Sequence, residues 1–154
     1  MFRFRFEQIL NYRKILEDQV LQEFSEQVRD LERERLHLRS IRTQKAALLA
    51  ELMHKQAGAL TATEIGLYFD YLKGLREQEV AQVLRIADKE KALELKREEL
   101  AEAVKRRKIM EILKQKKLEN YWKEWNHKEL VELNEQGINR YLKRYGDEKI
   151  DHNL

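Results

Sequence analysis

The sequence is 154 residues long, with no Pro, no Cys and five Gly, and 38% of it is charged around a formal net charge of only +3. So few turn-forming residues cannot supply the connections of a β-sandwich or an α/β enzyme. Without Cys there is no disulfide framework, thiolate metal site or cysteine nucleophile. What remains is the composition of long helices with solvated, ion-paired faces.

Phe2-Arg3-Phe4-Arg5-Phe6 opens the chain. It alternates like a strand, but Phe2, Phe6 and Ile9 also fit a helix face and would close the open end of a helical hairpin as a hydrophobic staple. The segment is too short for stable membrane anchoring. It also lacks the apolar core of a signal peptide. No apolar run in the chain approaches the ~18 residues of a transmembrane helix.

The first long helix is expected from about Phe6 to Ala57. Every seventh residue from Leu10 gives Leu10, Glu17, Phe24, Leu31, Leu38, Lys45 and Leu52. A companion row is Phe6, Arg13, Val20, Gln27, Glu34, Ile41 and Leu48. Together they form a heptad seam interrupted by polar residues. Helix one then breaks at residues 58–61. Gly58 can take the left-handed conformation that closes a helix. Thr61 with Glu64 fits a capping box, and Thr63 is an alternative cap.

The second helix is expected from about Ala62 to Tyr145, with a frayed tail over residues 146–154. Leu72, Ile86, Leu93 and Leu100 share one heptad row, and Phe69, Val83, Val104, Leu118 and Trp125 another. Gly66 and Gly74 lie inside it, where they either permit close packing near the turn or mark a soft tip. Folding about the turn makes paired residue numbers sum to about 119, which sets the helices antiparallel. The fold class is therefore all-α: one antiparallel coiled-coil hairpin over residues 1–154, its second helix overhanging. Past about Leu113 that helix has no partner in the chain, so Tyr121, Trp122 and Trp125 are candidates to bind something else.

No catalytic constellation stands out. The five Gly are too scattered for a phosphate loop. Glu124-Trp125-Asn126-His127 matches half of a di-iron Glu-x-x-His pair, but the second half is missing. A hairpin with a one-seam core has no room for a concave, water-excluding pocket. No enzyme activity, cofactor, metal or small-molecule substrate is expected. From Lys105 to Lys128, Lys and Arg surround Tyr121, Trp122 and Trp125, a pattern that can bind nucleic acid. Interspersed Glu102, Glu111, Glu119, Glu124 and Glu129 dilute that charge, and no nucleic acid is expected as partner.

Three segments carry a resemblance. Phe4-Arg5-Phe6-Glu7-Gln8-Ile9-Leu10 followed by Arg13 resembles the opening of the flagellar FliJ proteins. Tyr68-x-x-Tyr71-Leu72-x-x-Leu75 resembles that family's aromatic element just past the hairpin turn. The basic arm ending in Leu118-Glu119-Asn120-Tyr121 resembles its C-terminal helix. The resemblance implies a cytoplasmic, non-enzymatic part of the flagellar type III export apparatus, lying at the membrane face of the basal body. It implies a coiled coil similar to the central stalk of rotary ATPases. Its expected partners are the export ATPase hexamer, the membrane export gate and export chaperones. By position, Tyr68, Tyr71, Leu72 and Leu75 would meet the gate. Phe4, Phe6, Arg106, Arg107, Lys108, Lys114 and Lys117 would lie at the ATPase end. The stalk of a virulence-type secretion system is the alternative with the same physics, and a nucleic-acid-associated coiled coil is a third.

Overall fold

The computed structural model describes residues 1–58 and 60–151, with side chains to Tyr145. Among these residues there are two elements, α1 (Glu7–Gln56) and α2 (Ala62–Asp151). Without Pro, nothing in either span removes a backbone donor or clashes with the preceding turn. α2 therefore continues through Gly137 and past Tyr145, where a frayed tail was expected, as far as Asp151. The rest of that expected tail, residues 152–154, lies outside the described residues.

The connection confirms one capping expectation and corrects another. The Thr61 main-chain N–H donates to Glu64 Oε2 at 2.9 Å, and the Glu64 N–H donates to Thr61 Oγ1 at 3.3 Å. This is a reciprocal capping box, and its hydrogen bonds hold the Glu64 carboxyl below its ordinary pKa. Gly58 does not take the left-handed conformation, since no described Gly has positive φ. α1 closes instead by a tightened last turn, in which the Gly58 N–H donates to the Lys55 carbonyl at 3.0 Å. Ala59, within the expected turn, lies outside the described residues.

The contacts divide the chain into two units: Lys14–Lys105, and Met1–Arg13 with Arg106 onward. In the Lys14–Lys105 unit, α1 and α2 run antiparallel. Cross-helix pairs Glu51–Tyr68, Glu34–Arg85 and Glu23–Lys96 each have residue numbers adding to 119, the expected register. Every residue of both expected α1 rows in this unit is buried or half-buried, including the polar Glu17, Gln27, Glu34 and Lys45. The tightest core is near the turn, where Ile41, Leu48 and Leu52 meet Leu72 and Leu75. Burying a Leu side chain there contributes about 1.5–3 kcal/mol.

On α2 the expected second row holds at Val104, which is half-buried, but is one residue out nearer the turn. Phe69 is 57% and Val83 43% exposed. The seam instead runs through Tyr68, Leu75, Gln82, Lys89, Lys96 and Ala103, all buried or half-buried. Three of these six are polar, and their aliphatic stems do the covering while the heads of Gln82 and Lys96 find partners. Lys96 Nζ sits 2.7 Å from both Glu23 and Glu99, which raises its pKa. Glu79 pairs with Lys45 and Arg42, which lower its pKa.

In the other unit, Leu10 is only 1% exposed and Phe4 7%. Lys114 Nζ pairs with Glu7 at 2.8 Å, so α1 and α2 are antiparallel here too. Residues 1–6 are not helical. They carry the chain along α2, and the Phe2 ring meets Tyr121 at 5.6 Å between centroids. This corrects the expectation that α2 has no partner in the chain past Leu113. A non-helical segment advances up to ~3.3 Å per residue against 1.5 Å in a helix, so six residues reach further than a helix count allows.

Neither Gly66 nor Gly74 serves close packing, because a Cβ at either position would meet nothing within 4 Å. Both lie in ordinary helix. Gly66→Ala and Gly74→Ala should each stabilise the chain by ~1 kcal/mol. Urea unfolding followed by circular dichroism should show the midpoint move upward for each, with the double variant near the sum.

Candidate protein-interaction surfaces

The first surface lies beside the turn, in the Lys14–Lys105 unit. The spacing of Tyr68, Tyr71, Leu72 and Leu75 places them near one another on α2, but the structure splits them. Leu72 and Leu75 are each 2% exposed and belong to the core. Tyr68 is half-buried, its hydroxyl donating to Glu51 Oε1 at 3.0 Å and accepting from Lys55 Nζ at 2.7 Å. Lys55 also pairs with Glu51 at 3.0 Å. Within this triad the Tyr68 hydroxyl, then Glu51, raise the Lys55 pKa, and Lys55, then Tyr68, lower that of Glu51.

Tyr71 alone of the four faces solvent, at 55% exposure. Leu67, one turn before it on the same face, is 65% exposed, and Phe69 is also open. Sequence reasoning missed Leu67, although its i, i+4 relation to Tyr71 was available as a signal. An open groove of about 590 Å³ adjoins them, lined by His54, Lys55, Gly58, Leu60, Glu64, Leu67 and Tyr68.

The second surface belongs to the unit containing the N-terminus. Met1–Phe6 and α2 residues Lys117, Asn120, Tyr121 and Glu124 line an open groove of about 690 Å³. Phe4 is buried and stacks edge-on to Phe6 at 5.9 Å, so Phe4 shapes the groove while Phe6 is partly open. Of the expected basic residues, Arg107 pairs with Glu111 at 2.6 Å and Lys114 with Glu7, which ties both to the unit's own carboxylates. Arg106, Lys108 and Lys117 are exposed.

From Tyr121 the aromatic surface continues through Trp122 at 5.8 Å and from there to Trp125 at 5.9 Å. Tyr121 is half-buried, while Trp122 and Trp125 are about half exposed. The structure thus brings Phe2, Tyr121, Trp122 and Trp125 into one aromatic run next to Lys117. Among the described residues no three His, Asp or Glu side chains converge as metal ligands would. Among the described residues no helix is long and apolar enough to cross a membrane.

These features define a class: an antiparallel two-helix coiled coil whose exposed aromatic and apolar patches suit protein partners. The model of one family, the flagellar FliJ protein, matches residues 2–145. The chain belongs to the FliJ family, and with it to the components of the flagellar type III protein export apparatus. That family is a structural part of the apparatus and is not known for enzymes. No curated protein and no solved structure gives a significant match to the chain.

The split between Tyr71 and its neighbours separates binding from folding. Tyr71→Ala should leave the thermal midpoint within a degree or two of the parent, as surface substitutions do. Leu75→Ala should cost about 2–5 kcal/mol, because it opens a cavity in a core with no second layer. Parallel thermal melts of the two variants check this.

Proposed function

We propose that the chain works as a central-stalk-like coiled coil of the export apparatus, engaging the export ATPase hexamer through one unit and the membrane export gate through the other. The N-terminal arm, Lys108, Lys117 and the aromatic run to Trp125 form the ATPase-side surface. Leu67 and Tyr71 form the gate contact, with Tyr68, Leu72 and Leu75 holding Tyr71 in place from inside the seam. Export chaperones are further partners of the exposed coiled-coil faces, and the site of action is the cytoplasmic face of the membrane at the basal body.

The observation that carries this reading is the exposure of large apolar side chains in two separate units of one family member. Tyr71, Trp122 and Trp125 are each about half exposed, and the two Trp join Tyr121 and Phe2 in one contiguous aromatic run, as interaction surfaces do. Aromatic side chains with basic neighbours are also the residue types that dominate binding energy at interfaces.

Purified components test the division of labour. Tyr71→Ala should weaken binding to the cytoplasmic domain of the gate protein by about tenfold or more while leaving ATPase binding unchanged. Lys108→Glu with Lys117→Glu should do the reverse. If either variant loses both partners while keeping its helical circular dichroism, or loses neither, the assignment of surfaces is wrong.

A further inference from the structure

Gln82 is the one polar side chain that is fully buried among the described residues, at 5% exposure. Its amide nitrogen donates to the Glu34 carbonyl at 2.9 Å and to Glu34 Oε2 at 2.5 Å. A seam written in seven-residue repeats can slide by seven residues and still bring seam residues against seam residues. Only features that do not repeat distinguish one alignment from the next: the turn closed by the Thr61–Glu64 capping box is one, and within the seam Gln82 on Glu34 is another.

The neighbouring alignment can be read from the same rows. Sliding α2 by one heptad brings Gln82 to the level of Gln27. Gln27 Oε1 is buried and has no hydrogen-bond partner, so a second acceptor for the Gln82 amide waits one repeat away. The same slide puts Lys89 where Lys96 now meets Glu23. It also puts Leu75 where Gln82 now meets Glu34, burying the Glu34 carboxylate against an apolar side chain. That last replacement opposes the slide, because the half-buried Glu34 loses the Gln82 donor and Leu75 supplies none in its place.

We infer that Gln82 is a register latch of the Lys14–Lys105 unit, holding α2 on Glu34 of α1 and away from a second alignment one heptad along at Gln27. Gln82→Leu removes the preference at Glu34, since a Leu then faces Glu34 in both alignments, and leaves the turn as the remaining constraint on the slide. The variant lowers its thermal midpoint, because Glu34 loses the Gln82 donor, and it loses the single alignment.

The absence of native Cys makes the alignment measurable by introduced disulfides. Glu23→Cys with Lys96→Cys reports the observed register, and Glu23→Cys with Lys89→Cys the slipped one. On mild oxidation of the otherwise unaltered chain, only the first pair should cross-link above background. In the Gln82→Leu background the second pair should gain a cross-linked monomer above background. Cross-linking of the second pair without Gln82→Leu, or its failure to appear with Gln82→Leu, overturns the latch. A charge test is independent of slippage. Gln82→Glu sets a carboxylate against Glu34 and should lower the thermal midpoint, and adding Glu34→Gln should restore it. A midpoint that Glu34→Gln does not restore means that Gln82 does not act through Glu34.

Discussion

In the Lys14–Lys105 unit, one seam between two helices is the means of burying apolar surface. A two-helix pair has no second layer, so each residue of α1 or α2 either faces the other helix or faces water. Burial is therefore concentrated in a few Leu and Ile positions near the turn, with Leu31 and Ile86 further along. Everything beyond that width is exposed, which is why large aromatic side chains remain available to partners. An isolated helix is marginal in water, so α1 and α2 depend on the seam for most of their stability.

Polar residues within the seam decide what kind of pairing it is. Lys45 with Glu79, Gln82 with Glu34 and Lys96 with Glu23 each tie α1 to α2 across the seam. The ion pairs among them, with side chains still reached by solvent, contribute modest net stability, about 0–1 kcal/mol for an exposed pair. Their larger effect is on choice, because a polar seam residue finds its partner in one alignment and loses it in others. Near the turn the contacts are apolar, and Tyr68 joins Glu51 and Lys55 at the edge. Leu67 and Tyr71 are therefore held on a firm local support, a favourable setting for a contact surface.

Much of this was legible in the sequence, and the failures have physical causes. Both α1 rows were readable because apolar residues stand at both ends, Leu10 and Leu52 on one and Phe6 and Leu48 on the other. The second α2 row was not, because Gln82, Lys89 and Lys96 occupy it while Val83 and Phe69 offer apolar decoys one residue away. The capping box of Thr61 and Glu64 is a spacing rule and reads directly. The conformation of Gly58 is not, since glycine permits the left-handed form without requiring it. Spacing also grouped Tyr68, Tyr71, Leu72 and Leu75 correctly as neighbours, but it could not say that Tyr71 lies just off the seam. The reach of Met1–Phe6 along α2 depended on their staying non-helical, which alternating Phe and Arg only hint at.

The family assignment rests on nearly the full chain, and the roles of its two surfaces rest on exposure and chemistry. Capture of the tagged chain from its native host, with mass spectrometry of the bound proteins before and after nuclease treatment, tests the account most directly. The account predicts the flagellar export ATPase together with export-gate components, unchanged by nuclease. Recovery of virulence-type secretion components in their place, or of nucleic-acid-binding proteins lost on nuclease treatment, would contradict it.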